Sequence, residues 1–134
     1  MIVNIVRFSF RDGTPEDVRA EVLAAMRRTA SVESVAFSTV GQDIGDPADG
    51  FTHAYLAAVE DLAALDRYFY DPVHLNGDPE ILPHFARLRT QQLSDDLDPE
   101  LGAKIVAMHL KKVATYPEWG RLLDAIPDVD ISAG

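Results

Sequence analysis

Hydrophobic residues alternate with a period of two from Ile2 to Phe10 (IVNIVRFSF). Ile2, Asn4, Val6, Phe8 and Phe10 share one face, and Val3, Ile5, Arg7 and Ser9 the other, the pattern of a strand. Asp12-Gly13 marks a turn, and Thr14-Pro15-Glu16-Asp17 predicts a helix start, with Thr14 as the capping hydroxyl. Val18, Val22 and Met26, flanked by Leu23 and Ala25, give that helix an apolar stripe ending near Thr29. A second strand is expected over Ser34 to Gln42, followed by a turn-rich acidic loop to Gly50. In the third strand, Phe51 to Val59, His53, Tyr55, Ala57 and Val59 face one way and Ala54, Leu56 and Ala58 the other. Asp61 caps a helix carrying Leu62, Leu65, Tyr68 and Phe69, and Asp71-Pro72 ends it. Asp78-Pro79-Glu80 predicts a further helix start, with Ile81, Leu82 and Phe85 as its apolar side. Ala86 to Leu97 contains RTQQLSDDL, polar enough to predict no more than an edge strand.

The remaining residues read as a helical tail. Asp98-Pro99-Glu100 opens one helix, striped by Leu101, Ile105 and Met108 and by Val106, Leu110 and Val113. Tyr116-Pro117-Glu118 opens another that buries Trp119, Leu122, Leu123 and Ile126, and the terminal PDVDISAG is expected to fray. The order βαββαβ over 1–97 predicts an α+β fold, helices on one face of a mostly antiparallel sheet, with 98–134 as a C-terminal helical extension. Both faces of the first three strands carry apolar residues, yet helices cover only one. The other face is therefore expected to meet a second copy in a two-fold homodimer.

Composition narrows the partners. A net charge of −10 in 134 residues argues against nucleic acid and anionic membrane surfaces as partners. No apolar run is long enough to span a bilayer, and the N-terminal residues lack a secretory pattern. There is no cysteine, which removes thiolate chemistry and is compatible with the cytoplasm.

The chemistry gathers between Gly50 and Gly77, where His53, Tyr55, Tyr68, Tyr70 and His74 lie close in sequence. His74 is the candidate general base, because imidazole titrates near neutrality. Its structural role, if it has only that, is to cap carbonyls at the end of the preceding helix. Tyr68 is the candidate hydrogen-bond donor to a developing oxyanion, or else a core aromatic. Asn4, Val6, Phe8, His53 and Tyr55 share one face and are expected to line a substrate pocket. His84 and His109 are expected at the surface. The acidic clusters Asp43/Asp46/Asp49 and Asp95/Asp96/Asp98/Glu100 read as solvated loops rather than metal sites. No phosphate-binding glycine loop or serine elbow is present, and no cofactor is expected.

MIVNIVRFSF at the start, Gly50-Phe51-Thr52-His53-Ala54, and YFYDPVH from Tyr68 to His74 together resemble the stress-responsive A/B barrel (Dabb) family over about residues 1–97. The resemblance implies a ferredoxin-like subunit that pairs through its sheet into a dimeric barrel. It also implies a cofactor-free activity of the kind found in the plant polyketide cyclase that makes olivetolic acid, with Tyr68 and His74 matching its tyrosine and histidine. Many members carry histidine on the first strand where this chain has Asn4, and an amide orients a carbonyl but takes no proton near neutral pH.

Two functions follow. One is an acid–base enzyme acting on a small apolar carbonyl or polyketide-like compound, as a cyclase, lyase or isomerase. The alternative is a non-enzymatic stress-responsive or ligand-carrying barrel. Convergence of His74 and Tyr68 on one pocket discriminates between them.

Overall fold

A computed structural model describes residues 1–131. Its strands are β1 (Ile2–Phe10), β2 (Val35–Gln42), β3 (His53–Val59), β4 (Phe85–Ser94) and β5 (Asp128–Ile131). They form one sheet in the order β2-β3-β1-β4-β5. The first four pair antiparallel, with Asn4 opposite Ala57 and Gln92, and Val6 opposite Tyr55 and Thr90. The fold is the α+β, ferredoxin-like arrangement expected, with an added fifth strand.

Helices α1 (Glu16–Thr29), α2 (Leu62–Phe69) and α3 (Pro72–Ile81) cover one face, joined by α4 (Leu101–Thr115) and α5 (Pro117–Asp124) from the tail. The core lies between these helices and the sheet. Phe8, Val59, Leu65 and Phe85 are almost wholly buried there, each burial removing apolar surface from water at roughly 25 cal/mol per Å². No helix among the described residues is long and apolar enough to cross a membrane.

Five local expectations change. Thr14 does not cap α1: its hydroxyl donates to the Arg11 carbonyl, and Pro15 is the capping position, with no side-chain bond. Asp78-Pro79 does not open a helix, because α3 has already begun at Pro72, with Asp71 Oδ1 accepting from the Val73 amide. Pro79 sits close to the C-terminal end of α3, and Asp78 turns inward. Phe85 begins β4 rather than ending a helix. β4 is an interior strand despite its polarity, since β5 pairs with it in parallel, Arg87 beside Asp128 and Thr90 beside Ile131. The segment 128–131, expected to fray, is that strand; residues 132–134 lie outside the described residues. Its anchor is ionic: Asp128 contacts Arg87 Nε at 2.8 Å and Arg89 Nη1 at 2.9 Å.

The sheet's second face is bare of helices. At one end it presents Val3, Ile5, Leu56 and Ala58, with Phe37 53% and Leu93 59% exposed. At the other end Phe51 is sandwiched between the guanidinium groups of Arg7 and Arg87, at 4.5 and 4.9 Å. Arg7 also pairs with Asp43 at 2.7 Å and Asp49 at 3.3 Å, so two of the loop acids serve this face.

Candidate active site

Between the sheet and the helices lies a cavity of about 140 Å³. Asn4, Val6, Tyr55, Tyr68 and His74 line it, five of the seven residues expected at a site. Phe8 and His53 stand apart from it. Phe8 is fully buried and stacks on Phe85 at 4.4 Å, and His53 lies against Phe8 and Phe10 with Nδ1 2.7 Å from the Thr52 hydroxyl. Both rings belong to an aromatic cluster at the far end of the same face.

The segment between α2 and α3 fixes His74. Asp71-Pro72 ends one helix and starts the next, placing His74 in the first turn of α3 above the end of α2. Its Nδ1 donates to the Tyr68 carbonyl at 2.9 Å, since a carbonyl only accepts. The capping role is thus present, and it leaves Nε2 as the ring nitrogen open to other partners. Nε2 lies 3.4 Å from Asp78 Oδ2, one helical turn on. The same carboxylate oxygen accepts from the Trp119 indole at 2.7 Å. Burial pushes the Asp78 carboxyl up, but His74, Lys112 and the Trp119 N–H outweigh it and hold the group below its ordinary value.

Tyr68 packs its ring 4.5 Å from that of His74 and meets the Tyr55 hydroxyl at 2.5 Å. Burial drives both phenols well above their ordinary range. They therefore stay protonated. Two hydroxyls sharing one hydrogen bond use one proton between them, so the second is free to donate to an oxygen in the cavity. Asn4 is held by the Ala57 carbonyl at 3.5 Å and by the Gln92 amide, which donates to its Oδ1 at 3.3 Å.

The tail supplies the outer wall: His109 and Lys112 from α4, Trp119 and Leu123 from α5, and Ile131 from β5. His109, expected at the surface, is instead half-buried with its ring 5.2 Å from Trp119; burial lowers its pKa. Lys112 has no solvent exposure, and its Nζ lies 4.1 Å over the Trp119 ring and 5.5 Å over Phe69. Burial lowers its pKa to about 8, against an opposing pull from Asp78.

Asp78, Lys112, Trp119 and Gln92 were not foreseen as site residues. A signal existed for two of them. Lys112 continues the apolar stripe Leu101, Ile105, Met108 at helical spacing, where a charge is out of place. Asp78 falls four residues after His74, a relation visible only once α3 is known to start at Pro72.

The family model for the stress-responsive A/B barrel domain matches residues 2–91. The chain belongs to the Dabb family. Solved structures agree on the fold. A hydroxynitrile lyase from Passiflora edulis is 21% identical with a TM-score of 0.63, covering 72% of this chain and 96% of its own. A dimeric ferredoxin-like protein of unknown function from Thermobifida fusca is 22% identical with a TM-score of 0.61, covering 69% and 89%. A Dabb protein from Mesorhizobium loti is 16% identical with a TM-score of 0.62, covering 71% and 96%. No curated protein matches the sequence. These neighbours are aligned over nearly all of their own length while leaving more than a quarter of this chain uncovered, and the family match stops short of the tail that walls the cavity.

Proposed function

We propose that this Dabb protein is a cofactor-independent acid–base enzyme acting on a small, largely apolar carbonyl compound of polyketide-like kind, by cyclase, lyase or isomerase chemistry. The observation that carries this reading is the meeting of His74 Nε2 and the Tyr55–Tyr68 hydroxyl pair on one cavity. His74 takes a proton from carbon or hydroxyl at Nε2, and Asp78, 3.4 Å from that same nitrogen, stabilises the resulting imidazolium. Tyr68, kept protonated by burial and braced by Tyr55, donates to the oxyanion as it forms. Asn4 orients the carbonyl, and Val6 and Leu88 give the cavity an apolar floor. The Passiflora neighbour is a lyase, which is compatible with this chemistry.

The test is α-deuteration of phenylacetone in D2O, followed by proton NMR, which reads proton abstraction without knowledge of the natural substrate. His74→Gln is expected to slow exchange by about 10²-fold or more, and Tyr68→Phe by about 10²-fold. Exchange unchanged by His74→Gln overturns the assignment. No exchange with the wild-type protein favours the alternative, a ligand-binding barrel. The hydrogen bond between the two tyrosine hydroxyls and the capping bond of His74 speak for that second reading.

We further propose that residues 1–97 form the barrel unit and that 98–134 extend it to complete the site. The subunit is proposed to pair through its bare sheet face into a homodimer; three ferredoxin-like neighbours are described as dimeric. Sedimentation tests this: Phe37→Asp combined with Leu93→Asp is expected to shift a dimer to monomer. A wild-type monomer at micromolar concentration refutes it.

A further inference from the structure

Lys112 is the one fully buried cation among the described residues. An ammonium group is normally left in water, because desolvating it without hydrogen bonds is costly. Lys112 is fully buried, lines the cavity, and its Nζ finds no hydrogen-bond acceptor among the described residues. Two aromatic faces, Trp119 and Phe69, lie beside it. They stabilise the cation but accept none of its three N–H donors in the manner of an oxygen. Asp78, a carboxylate lining the same cavity, attracts the Lys112 charge through space but makes no hydrogen bond to it: its partners are the Trp119 indole and His74. The donors of Lys112 are therefore free to meet an oxygen that enters the cavity.

We propose that Lys112 is the binding group for a carboxylate, and that the ligand of this cavity is a small, largely apolar carboxylic acid. The class follows from the lining. Val6, Met26, Phe69, Ile81, Leu88 and Leu123 form an apolar chamber that takes a hydrocarbon or aromatic body. One buried cation at its wall takes the anionic end. A carboxylate offers oxygen lone pairs to the ammonium and cancels its charge, whereas a neutral carbonyl satisfies the donors and leaves the charge. The residue sits in α4, beyond the stretch matched by the family model. The specificity it confers is thus a property of this chain's own tail. The proposal deepens the acid–base reading, since it names the substrate class of the same site: a keto acid or aryl acid anchored at Lys112 lies in the cavity that the adjoining His74 and Tyr68 rings line.

The experiment uses the full-length protein and its one tryptophan, Trp119, as an intrinsic fluorescence probe in the cavity wall. Benzoate, phenylacetate and hexanoate are titrated beside their neutral amides. At least one acid is expected to change the emission saturably and to bind at least tenfold more tightly than its amide. Lys112→Met, which keeps the stem and removes the charge, is expected to lose this acid-over-amide preference while still binding the amide; Lys112→Arg is expected to restore part of it. Equal affinity for acid and amide, acid binding unaffected by Lys112→Met, or no saturable binding by any acid each overturns the proposal. Because titration needs no turnover, it succeeds or fails independently of the deuteration assay: binding without exchange removes the enzyme reading alone, and exchange without an acid preference removes only Lys112's role.

Discussion

The hydroxyl of Tyr55 on β3 and that of Tyr68 on α2 meet at 2.5 Å in the floor of the cavity. The two oxygens tie sheet to helix where little water reaches, so each is the other's protein partner. Removing one hydroxyl leaves the other desolvated. Tyr55→Phe and Tyr68→Phe are each expected to cost about 1–3 kcal/mol. The double variant should cost less than the sum by about 1 kcal/mol. Urea unfolding of the four proteins measures the cycle; strict additivity means that the contact contributes nothing.

Asp78 makes stability depend on acid. Its folded pKa is depressed below the ordinary 3.8, so the unfolded chain binds its proton first as pH falls. The stability it confers is fully present above that ordinary value and disappears as pH drops through the lower folded one. Asp78→Asn is expected to cost about 3 kcal/mol or more at pH 7, because it leaves His74 and Lys112 without their carboxylate. Unfolding curves from pH 7 down to pH 2.5 should show the gap between wild type and variant closing at the acid end. A gap that stays constant with pH means that the carboxylate's charge is not what matters.

Much of this arrangement is written in the chain, and what is not has identifiable causes. Asp61, the alternation of β1 and β3, and the Asp71-Pro72 break are local signals, and each produced the element it predicts. β4 misled because strand polarity reports what lies on both faces. Arg87, Arg89 and Gln91 point to the bare side of the sheet, and the partner that makes the strand interior, β5, is four residues of acidic tail more than thirty positions away. The near half of the site was legible for the same reason: His74 and Tyr68 stand on adjoining helices only six residues apart. Trp119 and Lys112 reach it through tertiary packing: the helical spacing of Lys112 marks it as inward-facing, but not which elements it faces. Phe8 and His53 share the face of Asn4 and Val6, but a face fixes direction only; position along the strand placed them in the aromatic cluster.

Lys112 adds a second rise of stability with pH, at the alkaline end. Its folded pKa, about 8, lies below the ordinary 10.5. Between those values the unfolded chain keeps a proton that the folded chain has released, so stability rises with pH across the window. The increment is roughly 3 kcal/mol when complete. It is best followed between pH 7 and pH 10, before tyrosines of the unfolded chain ionise and pull stability down. Lys112→Met should abolish the rise and be more stable than wild type at pH 7 by roughly 1–3 kcal/mol, as an apolar residue replaces a buried charge. A wild-type curve flat over this range, or a destabilised Lys112→Met, contradicts a desolvated ammonium.

Truncation after Leu97 tests what the tail does. The neighbours matched by about seven-tenths of this chain are themselves covered almost end to end, so the four-strand unit is a fold that stands without such an extension. In this chain, however, the tail pairs the outer edge of β4 and supplies Trp119, Leu123 and Ile131 to the cavity wall. The 1–97 protein is expected to keep its α+β circular dichroism while losing at least about 2 kcal/mol of stability, since several buried side chains, each contributing roughly 1.5–3 kcal/mol, are exposed or removed. It should also bind a hydrophobic dye that the full chain excludes, and show no phenylacetone exchange, because the support of Asp78 by the Trp119 indole is gone. A truncated protein with the stability and exchange rate of the full chain makes the tail an ornament, and moves the whole site back into the unit that the family shares.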